Sequence, residues 1–495
     1  MSPKGRKEII YKYLMNENNK QRAFILTGLG IGEETKGASV QWLCEMLKAD
    51  RVLRSGGSQA GHHIITEDGR EQMFSHLGCG TFNGTKTHLK HMVINPVDLF
   101  TEALELEEKG VVDPFSMITI SDDCLTVTPF HGALSRLKEI LREQKKGTIG
   151  KGVGDAVTES RLFPALSVFA RDFKLPVVEL AKKIEAIRQH KIREANKLIS
   201  QLGIEELSDE AFSEMKVLHD SNIVNSTAEA FSILSDLVRI VDRDYLAEIL
   251  ENDTTIVGEP SHGALLHPWY GFIPHTTQID PTAQDVLNTL QECTYPGKII
   301  RLGVLRCYMT RHGAGPLVSF NQELTEKIQE THNNAGNDWL GEFRNGNFDI
   351  VATKYALEIS GGKEAFDGLM VSFLDMLSKF NEWQVCVGYK CQSEEDDLEE
   401  YFEIKDGLIA GIKVHPNTQD EKHYYHQLRL TELLKNCIPV LTTLTATEDQ
   451  TLEEIYLQYV EEKLGVPVVA VAHGPKSSDR KAREGWEHLF YPVET

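Results

Sequence analysis

Short apolar runs alternate with amphipathic segments along this chain. Residues 22–29 form an apolar run that ends in glycines, which predicts a buried strand entering a turn. Residues 39–47 and 96–109 carry apolar side chains at helical spacing, and Asn95 is a typical cap for the second helix. A strand, a glycine-rich loop and a helix in succession are typical of α/β proteins.

The same alternation continues to the end of the chain. Residues 174–250 are rich in Leu, Ile, Ala, Glu and Lys, and their spacing predicts a helical layer outside a sheet. Further strands are predicted at 117–120, 255–257, 299–305, 369–374 and 466–472, and a helix at 452–464. We predict an N-terminal extension at 1–21. Because no internal repeat or long linker is present, we expect one large α/β domain at 22–495, with a central, mostly parallel mixed sheet and flanking helices.

The composition of the chain limits the classes of function that it can have. The net charge of −22 over 495 residues disfavours binding to duplex nucleic acid, but a nucleotide pocket remains compatible with it. We expect a cytoplasmic protein without a membrane segment, because the N-terminus lacks a signal peptide and no long apolar stretch is present. The eight scattered cysteines match no common zinc pattern and predict reduced thiols. The acidic run 393–400 predicts a solvated loop.

The strongest local feature is the glycine loop at 28–37, with the sequence GLGIGEETKG. Its glycines allow backbone amides to approach a phosphate, the following helix N-terminus favours an anion, and Lys36 adds a positive charge. The loop is not a Walker A motif, and Glu33 stands where GxGxxG would have its third glycine. Taken alone, a tight turn without a ligand would explain the loop almost as well.

Further glycine-rich motifs follow in a fixed order. They are GGSQAGH at 56–62, GTIGKGVG at 147–154, TRHGAGP at 310–316, LD at 374–375 and HGP at 473–475. This set resembles the adenylosuccinate synthetase family, from about residue 24 to about residue 480. The resemblance implies a fold related to P-loop NTPases, a homodimer, and a reaction that joins IMP and L-aspartate with GTP and Mg²⁺.

The resemblance also implies catalytic residues. In the family, a loop carboxylate removes the N1 proton of the purine, O6 attacks the γ-phosphate, and an amine displaces the new phosphate. Glu33 takes the place of the loop aspartate with one more methylene, and His62 matches the catalytic histidine. Glu33 and the backbone of Gly61 match the positions that hold Mg²⁺.

Other residues match the family positions that bind the phosphates and the base of the donor nucleotide, GTP or ATP. Asp375 matches the aspartate that recognises guanine, and Phe373 replaces a lysine that stacks on the base. The full set implied for binding this nucleotide is Gly32, Glu34, Lys36, Gly37, Gly61, Phe373, Asp375, Gly474 and Pro475.

The substrate positions depart most from the family. Gln59 replaces an asparagine, Ile149 replaces a threonine beside Thr148, and His262 replaces a glutamine that contacts the base. Only Arg344 remains of four arginines that bind the aspartate carboxylates, so another amine is an alternative co-substrate. The substrate positions implied are Gln59, Thr148, Arg161, His262, Thr277 and Arg344.

Three functional hypotheses remain open from the sequence. The first is a ligase that phosphorylates O6 of a purine nucleotide and replaces it with an amine. The second is a phage-type enzyme acting on (d)GMP; the altered Gln59 and His262 favour it, whereas Glu33 argues against a simple copy. The third is a nucleotide-binding or regulatory subunit without ligase turnover, which the missing arginines would explain.

Overall fold

The computed structural model describes residues 21–143, 147–328, 341–392 and 397–490. Of the predicted N-terminal extension, only residue 21 lies inside these ranges. Residues 393–396 of the acidic run lie outside them, as do residues 329–340, which precede Arg344.

The strands build two larger sheets and a hairpin. In chain order they are β1 Arg22–Gly28, β2 Arg51–Gly57, β3 His62–Ile65, β4 Glu71–Phe74, β5 Lys86–Ile94, β6 Ile118–Ser121, β7 Leu125–Thr126, β8 Arg239–Val241, β9 Thr255–Pro260, β10 Lys298–Arg306, β11 Tyr308–His312, β12 Phe343–Asp349, β13 Gly368–Ser372, β14 Glu382–Cys391, β15 Phe402–Lys405, β16 Leu408–Ile412, β17 Cys437–Thr445, β18 Val468–Ala472 and β19 Arg480–Ala482.

The main sheet has eleven strands in the order β19-β18-β13-β10-β1-β9-β2-β5-β6-β8, with β7 also paired to β5. Within the described ranges every pairing is parallel except β18 with β19. The expected mostly parallel sheet in one α/β domain is therefore confirmed. A second sheet, β11-β12-β14-β16-β15 with β17 beside β14, was not predicted.

Helices cover the sheets. In chain order they are α1 Lys36–Leu47, α2 Pro96–Glu108, α3 Pro129–Ile140, α4 Val153–Leu162, α5 Val177–Gln201, α6 Asp209–His219, α7 Asn222–Leu237, α8 Arg243–Asn252, α9 Gln284–Glu292, α10 Gln322–Lys327, α11 Ile350–Ile359, α12 Leu398–Tyr401, α13 Glu421–Lys435, α14 Leu452–Leu464 and α15 Glu487–Phe490. The helical layer predicted at 174–250 corresponds to α5 to α8, interrupted by the short strand β8.

Local signals set several helix ends. The side chain of Asn95 accepts hydrogen bonds from the backbone N–H groups of Val97 and Asp98 at the start of α2. Thr451 and Glu454 form a capping box at the start of α14, and Gly465 ends it in a left-handed conformation. No helix of the described residues is long and apolar enough to cross a membrane. All eight cysteines are free thiols.

The parallel strands direct their carboxyl ends to one edge of the main sheet. The segments that follow β1, β2, β9, β13 and β18 meet there, together with the end of β10. Ligand sites of α/β sheets lie at this edge.

Candidate active site

A cavity of about 920 Å³ opens at the carboxyl edge of the main sheet. Its lining includes all but three of the residues that the sequence proposed for the site. The lining members of that set are Gly32, Glu33, Lys36, Gly37, Gln59, Gly61, His62, Thr148, His262, Thr277, Phe373, Asp375, Gly474 and Pro475. The other three, Glu34, Arg161 and Arg344, lie outside the lining.

The glycine loop is folded around the side chain of Glu34. The backbone N–H of Gly32 donates to Glu34 Oε1 at 2.8 Å. A Cβ at Gly28 or Gly30 would approach the Glu34 carboxylate closer than 3.0 Å, so a side chain at either position would displace that carboxylate. Glu34 therefore shapes the loop from inside, whereas the sequence had assigned it to nucleotide binding.

Lys36 begins helix α1 directly after this loop. Its ammonium lies 3.7 Å from Glu34 Oε2, and its side chain is almost fully buried. Burial lowers the pKa of Lys36, while Glu34 and Glu33 act in the opposite direction. Lys36 and Gly37 both line the cavity at the start of this helix, and a helix N-terminus favours an anion such as a phosphate.

Glu33 is the carboxylate of the loop that faces the cavity. Its side chain is 23% exposed, and its Oε2 lies 4.0 Å from Nη2 of Arg306. Arg306 also donates to the backbone carbonyl of Glu33, and its guanidinium stacks 4.4 Å over the ring of Phe373. Arg306 was not predicted as a site residue, although a basic residue at the end of a buried strand is a usable signal.

His62 is held from behind by a buried ion pair. Its Nδ1 lies 2.6 Å from Glu259 Oε1, and Glu259 in turn accepts a hydrogen bond from Nη1 of Arg54. An ionised carboxylate only accepts, so Nδ1 of His62 carries the hydrogen. Nε2 of His62 is buried without a hydrogen-bond partner in a residue that lines the cavity.

The surroundings of His62 and Glu259 lower the pKa of both groups. Burial lowers the pKa of His62 to about 4, and the neighbouring Arg54 adds to that effect against Glu259. Burial by itself would raise the pKa of Glu259, but Arg54 and His62 outweigh it and hold the pKa at about 2. His62 is therefore neutral and Glu259 ionised at neutral pH. Neither Arg54 nor Glu259 was selected from the sequence, although a glutamate inside the apolar strand β9 was a signal.

Two sets of residues offer ligand atoms for a cation, and only one of them is suited to Mg²⁺. Ligand atoms of His62, Cys79 and Glu259 lie within 4.8 Å of one another, but the guanidinium of Arg54 already pairs with that carboxylate. A cation fits poorly beside it. The carboxylate of Glu33 and the exposed backbone of Gly61 both face the cavity and offer the oxygen ligands that Mg²⁺ prefers.

The wall assigned to the substrate base is formed by Gln59 and His262. Their Nε2 atoms are 3.4 Å apart, and His262 adopts a left-handed backbone with φ of 64°. Burial lowers the pKa of His262 to about 3, with Lys36 acting in the same direction, so its imidazole is neutral. His262 Nδ1, Gln59 Oε1 and the hydroxyl of Thr277 are buried without hydrogen-bond partners.

The opposite end of the cavity lies between β13 and β18. Phe373 has φ of 62° and turns the chain so that Asp375 faces the cavity beside Gly474 and Pro475. Arg480 donates to the carbonyls of Gly474 and Pro475 and fixes that loop. Burial raises the pKa of Asp375 from its ordinary value.

The two remaining arginines lie outside the cavity lining and donate to backbone carbonyls. Arg161 is exposed on α4 and donates to the carbonyl of Gln278 at 3.1 Å. Arg344 donates from Nη2 to the carbonyls of Gly313 at 2.6 Å and Gly315 at 2.9 Å. The structure thus does not bring either guanidinium to the predicted substrate position.

Comparison with known proteins gives a consistent result. Residues 25–480 match the family model described as adenylosuccinate synthetase. The chain is 27% identical to the adenylosuccinate synthetase of Chlorobium limicola, over 92% of this chain and 95% of that one. It is also 27% identical to the enzyme of that name from Neurospora crassa, over 93% and 98%.

Two solved structures share the fold. Fully ligated adenylosuccinate synthetase from Plasmodium falciparum superposes with a TM-score of 0.70 at 20% identity, covering 93% of this chain and 99% of that chain. Succinoaminodeoxyadenylate synthetase from cyanophage S-2L, bound to dGMP and dATP as an energy donor, gives 0.56 at 15% identity, covering 95% and 98%.

Proposed function

The chain belongs to the adenylosuccinate synthetase family of carbon–nitrogen ligases, and from this premise we propose that it phosphorylates the 6-oxygen of a purine nucleotide or deoxynucleotide. An amine then replaces that oxygen. The observation that carries the proposal is the meeting of Glu33, Lys36 and His62 at one cavity, with a helix N-terminus beside them. By the same resemblance we expect a cytoplasmic homodimer.

Each of these residues has a role in the first step. The Glu33 carboxylate takes the N1 proton of the purine, so that O6 can attack the γ-phosphate of the donor nucleotide. Lys36 and the amides of the glycine loop stabilise the transferred phosphoryl group. When bound, Mg²⁺ held by Glu33 and Gly61 would neutralise phosphate charge. The O6–P bond forms, and the bond from the γ-phosphorus to the nucleoside diphosphate breaks.

His62 must gain a proton before it can donate to a phosphate. In the free protein its Nε2 carries a lone pair, because Nδ1–H is bound to Glu259. Binding a polyphosphate next to Lys36 adds negative charge near the imidazole and raises the His62 pKa from about 4. His62 therefore becomes a donor only when the nucleotide is present.

We expect GTP to be preferred over ATP, because Asp375 faces the base end of the cavity. A carboxylate accepts hydrogen bonds from N1–H and the 2-amino group of guanine, whereas adenine has no donor at N1. Asp375→Asn should weaken GTP binding about tenfold, since a hydrogen bond to a charged group is lost, and should change ATP binding little. Equal effects on the two nucleotides, measured by calorimetry, would contradict the guanine assignment.

A second candidate substrate is (d)GMP in place of IMP. It is favoured by the substrate wall, where His262 and Gln59 leave buried polar atoms without partners in a position that the family gives to the base. Gln59 Oε1 is an acceptor, and the 2-amino group of guanine supplies a donor that hypoxanthine lacks. The similar fold of the cyanophage enzyme, which was bound to dGMP, agrees with this candidate.

The test of the proposed function is phosphate release. The protein is incubated with IMP or dGMP, GTP or ATP, Mg²⁺ and a pool of amines, and phosphate is followed with time. Glu33→Gln should lower the rate at least about 100-fold and leave nucleotide binding intact, because it removes basicity and keeps size. Glu108→Gln, an exposed position at the end of α2, is the matched control and should behave as wild type. Tight nucleotide binding without phosphate release by the wild type would favour a regulatory subunit instead.

A further inference from the structure

Two cysteines of the second sheet face each other where β14 ends and β17 begins. In the antiparallel pairing of these strands, Cys391 lies directly opposite Cys437. The next pair outward is joined through the backbone, because the N–H of Gln392 donates to the carbonyl of Asn436 at 2.9 Å. Hydrogen-bonded and non-hydrogen-bonded pairs alternate along an antiparallel ladder, so the two cysteines form a non-hydrogen-bonded pair.

This kind of pair has the spacing that a disulfide requires. A non-hydrogen-bonded pair brings its Cα atoms to about 4.5 Å and its side chains close together on one face of the sheet. Disulfides span Cα separations of about 4.4–6.8 Å. Burial raises the pKa of the Cys437 thiol to about 12, and the adjacent Cys391 acts in the same direction, in part through a side-chain hydrogen bond. The two sulfur atoms therefore already meet without any shift of the backbone.

The two thiols differ in their access to solvent. Cys391 is partly exposed, whereas Cys437 is 8% exposed and its thiol donates to the carbonyl of Leu433 at 3.3 Å. The thiolate is the reactive form of cysteine, and a buried thiol with a raised pKa is slow to form it. Cys391 is therefore the thiol that an oxidant in solution reaches first, and Cys437 is placed to react second.

We propose that Cys391 and Cys437 form a reversible disulfide when the protein meets a small-molecule disulfide such as oxidised glutathione. The link ties the start of β17 to the end of β14, and under reducing conditions the pair returns to two thiols. Neither cysteine lines the cavity, so the inference is independent of the proposed function.

The exchange balances in two steps. The Cys391 thiolate attacks one sulfur of the small disulfide, so that a mixed disulfide forms and one thiolate of the small molecule leaves. Cys437 then gives up its proton and attacks Cys391 Sγ, the mixed disulfide breaks, and the second thiolate leaves. In all, the two cysteines lose two electrons and two protons, and the small disulfide takes them up as two thiols.

A redox titration of the full chain tests this inference. The reduced protein is equilibrated with oxidised and reduced glutathione at several ratios, the remaining thiols are alkylated, and the digested protein is analysed by mass spectrometry. We expect the peptides of Cys391 and Cys437 to be recovered as one linked species, lighter by two hydrogen atoms and separated again by dithiothreitol. Full alkylation of both cysteines at every ratio, or a link between two chains, would overturn the inference and leave the proposed function untouched.

Variants separate the first thiol from the second. Cys437→Ala should stop at the mixed disulfide, with one glutathione on Cys391, whereas Cys391→Ser should leave Cys437 unmodified in the folded protein because its thiol is buried. Cys293→Ser, which removes an equally buried thiol just after α9, is the control and should form the link as the wild type does. Glutathione on Cys437 of Cys391→Ser, with none on Cys391 of Cys437→Ala, would contradict the order of attack.

The link should also stabilise the fold, because it closes the loop 391–437 in the unfolded chain. We expect the thermal midpoint of the oxidised wild type to lie about 2–5 °C above that of the reduced protein. The same glutathione treatment should leave the midpoint of Cys391→Ser unchanged. An oxidised wild-type midpoint equal to or below the reduced one would overturn the claim that the native positions of these cysteines fit a disulfide.

Discussion

At the scale of single residues, the orientation of His62 depends on groups that do not touch the cavity. Glu259 is fully buried and accepts from both His62 and Arg54, and its other oxygen accepts from the backbone N–H of Cys79 at 3.1 Å. This arrangement fixes the tautomer of His62 and aims Nε2 at the cavity. A hydrogen-bond acceptor at the second ring nitrogen of a catalytic histidine increases the reaction rate by a large factor, because the wrong tautomer cannot act.

Glu259→Gln should therefore lower the rate of phosphate release about 100-fold while nucleotide affinity changes little. The amide keeps the size of the side chain but removes the charge that holds Nδ1–H of His62. Turnover and nucleotide affinity are measured together, and the ¹⁵N shifts of His62 report its tautomer directly. Wild-type turnover in a folded Glu259→Gln protein would contradict the positioning role.

The chain offers a matched control in a second buried pair. Glu159 Oε2 lies 2.6 Å from Nε2 of His131 and 3.0 Å from the ammonium of Lys191, away from the cavity lining. Breaking either pair, by Glu259→Gln or by Glu159→Gln as the control, should cost about 3–5 kcal/mol of unfolding free energy, because a charge is left buried. Only Glu259→Gln should also lose turnover and change the His62 tautomer.

The site residues that lie in motifs were predictable from the sequence, whereas the residues that support them were not. Glu33 and His62 stand in glycine-rich segments whose order carried the resemblance. Arg54, Glu259 and Arg306 lie within or at the end of apolar strands, where sequence alone does not show which buried charges meet. The pairing of Arg54 with Glu259 depends on β2 and β9 being neighbours in the sheet, which only the fold provides.

At the scale of elements, the glycine loop is supported by the segment after β9. The backbone N–H of Leu265 donates to the carbonyl of Gly30 at 3.0 Å, so the two segments pack backbone to backbone. A Cβ at Gly263 would approach the carbonyl of Gly30 and the N–H of Gly32 closer than 3.0 Å. Because Gly263 has no side chain, the segment after β9 can pack closely against the glycine loop.

Gly263→Ala should weaken nucleotide binding at least about tenfold, since the added methyl must push the loop away from its position. Nucleotide affinity by calorimetry and the thermal midpoint are the measurements. Gly110→Ala is the control: its φ is +88° and nothing lies within 4 Å of the added Cβ. That variant should lose about 1–2 kcal/mol through backbone strain and bind nucleotide normally. Equal nucleotide affinities for the two variants would show that the packing of the glycine loop against the segment after β9 is unimportant for nucleotide binding.

Element prediction succeeded where the hydrophobic pattern was strong. The strands that correspond to β1, β10 and β13 appear as short buried runs, and α2 and α14 carry their own capping residues. The second sheet was missed for a physical reason. Its strand β17 has mixed exposure along its length, which blurs the alternation that marks a strand.

At the scale of the whole molecule, several histidines are buried as neutral groups inside the main sheet and its site. His88 on β5 is the clearest case outside the cavity, with Nδ1 2.8 Å from the hydroxyl of Thr119. That hydroxyl donates to the carbonyl of Thr87, so it accepts from Nδ1–H, and Nε2 of His88 remains buried without a partner. Burial lowers the pKa of His88 to about 3, and nearby Arg51 and Lys90 act in the same direction.

Acid should therefore destabilise the protein through His88. Its folded pKa of about 3 lies below the unfolded value of 6.5, so the stability that the neutral form contributes is complete above pH 6.5 and is lost as the pH falls towards 3. The loss is at most about 1.4 kcal/mol per pH unit. Urea unfolding at pH 7, 6 and 5 measures it. His88→Gln keeps a donor for Thr119 but does not titrate, so its unfolding free energy should fall less steeply than that of the wild type. His219→Gln, at an exposed position on α6, should keep the wild-type slope, and a wild-type slope in His88→Gln as well would contradict the assignment.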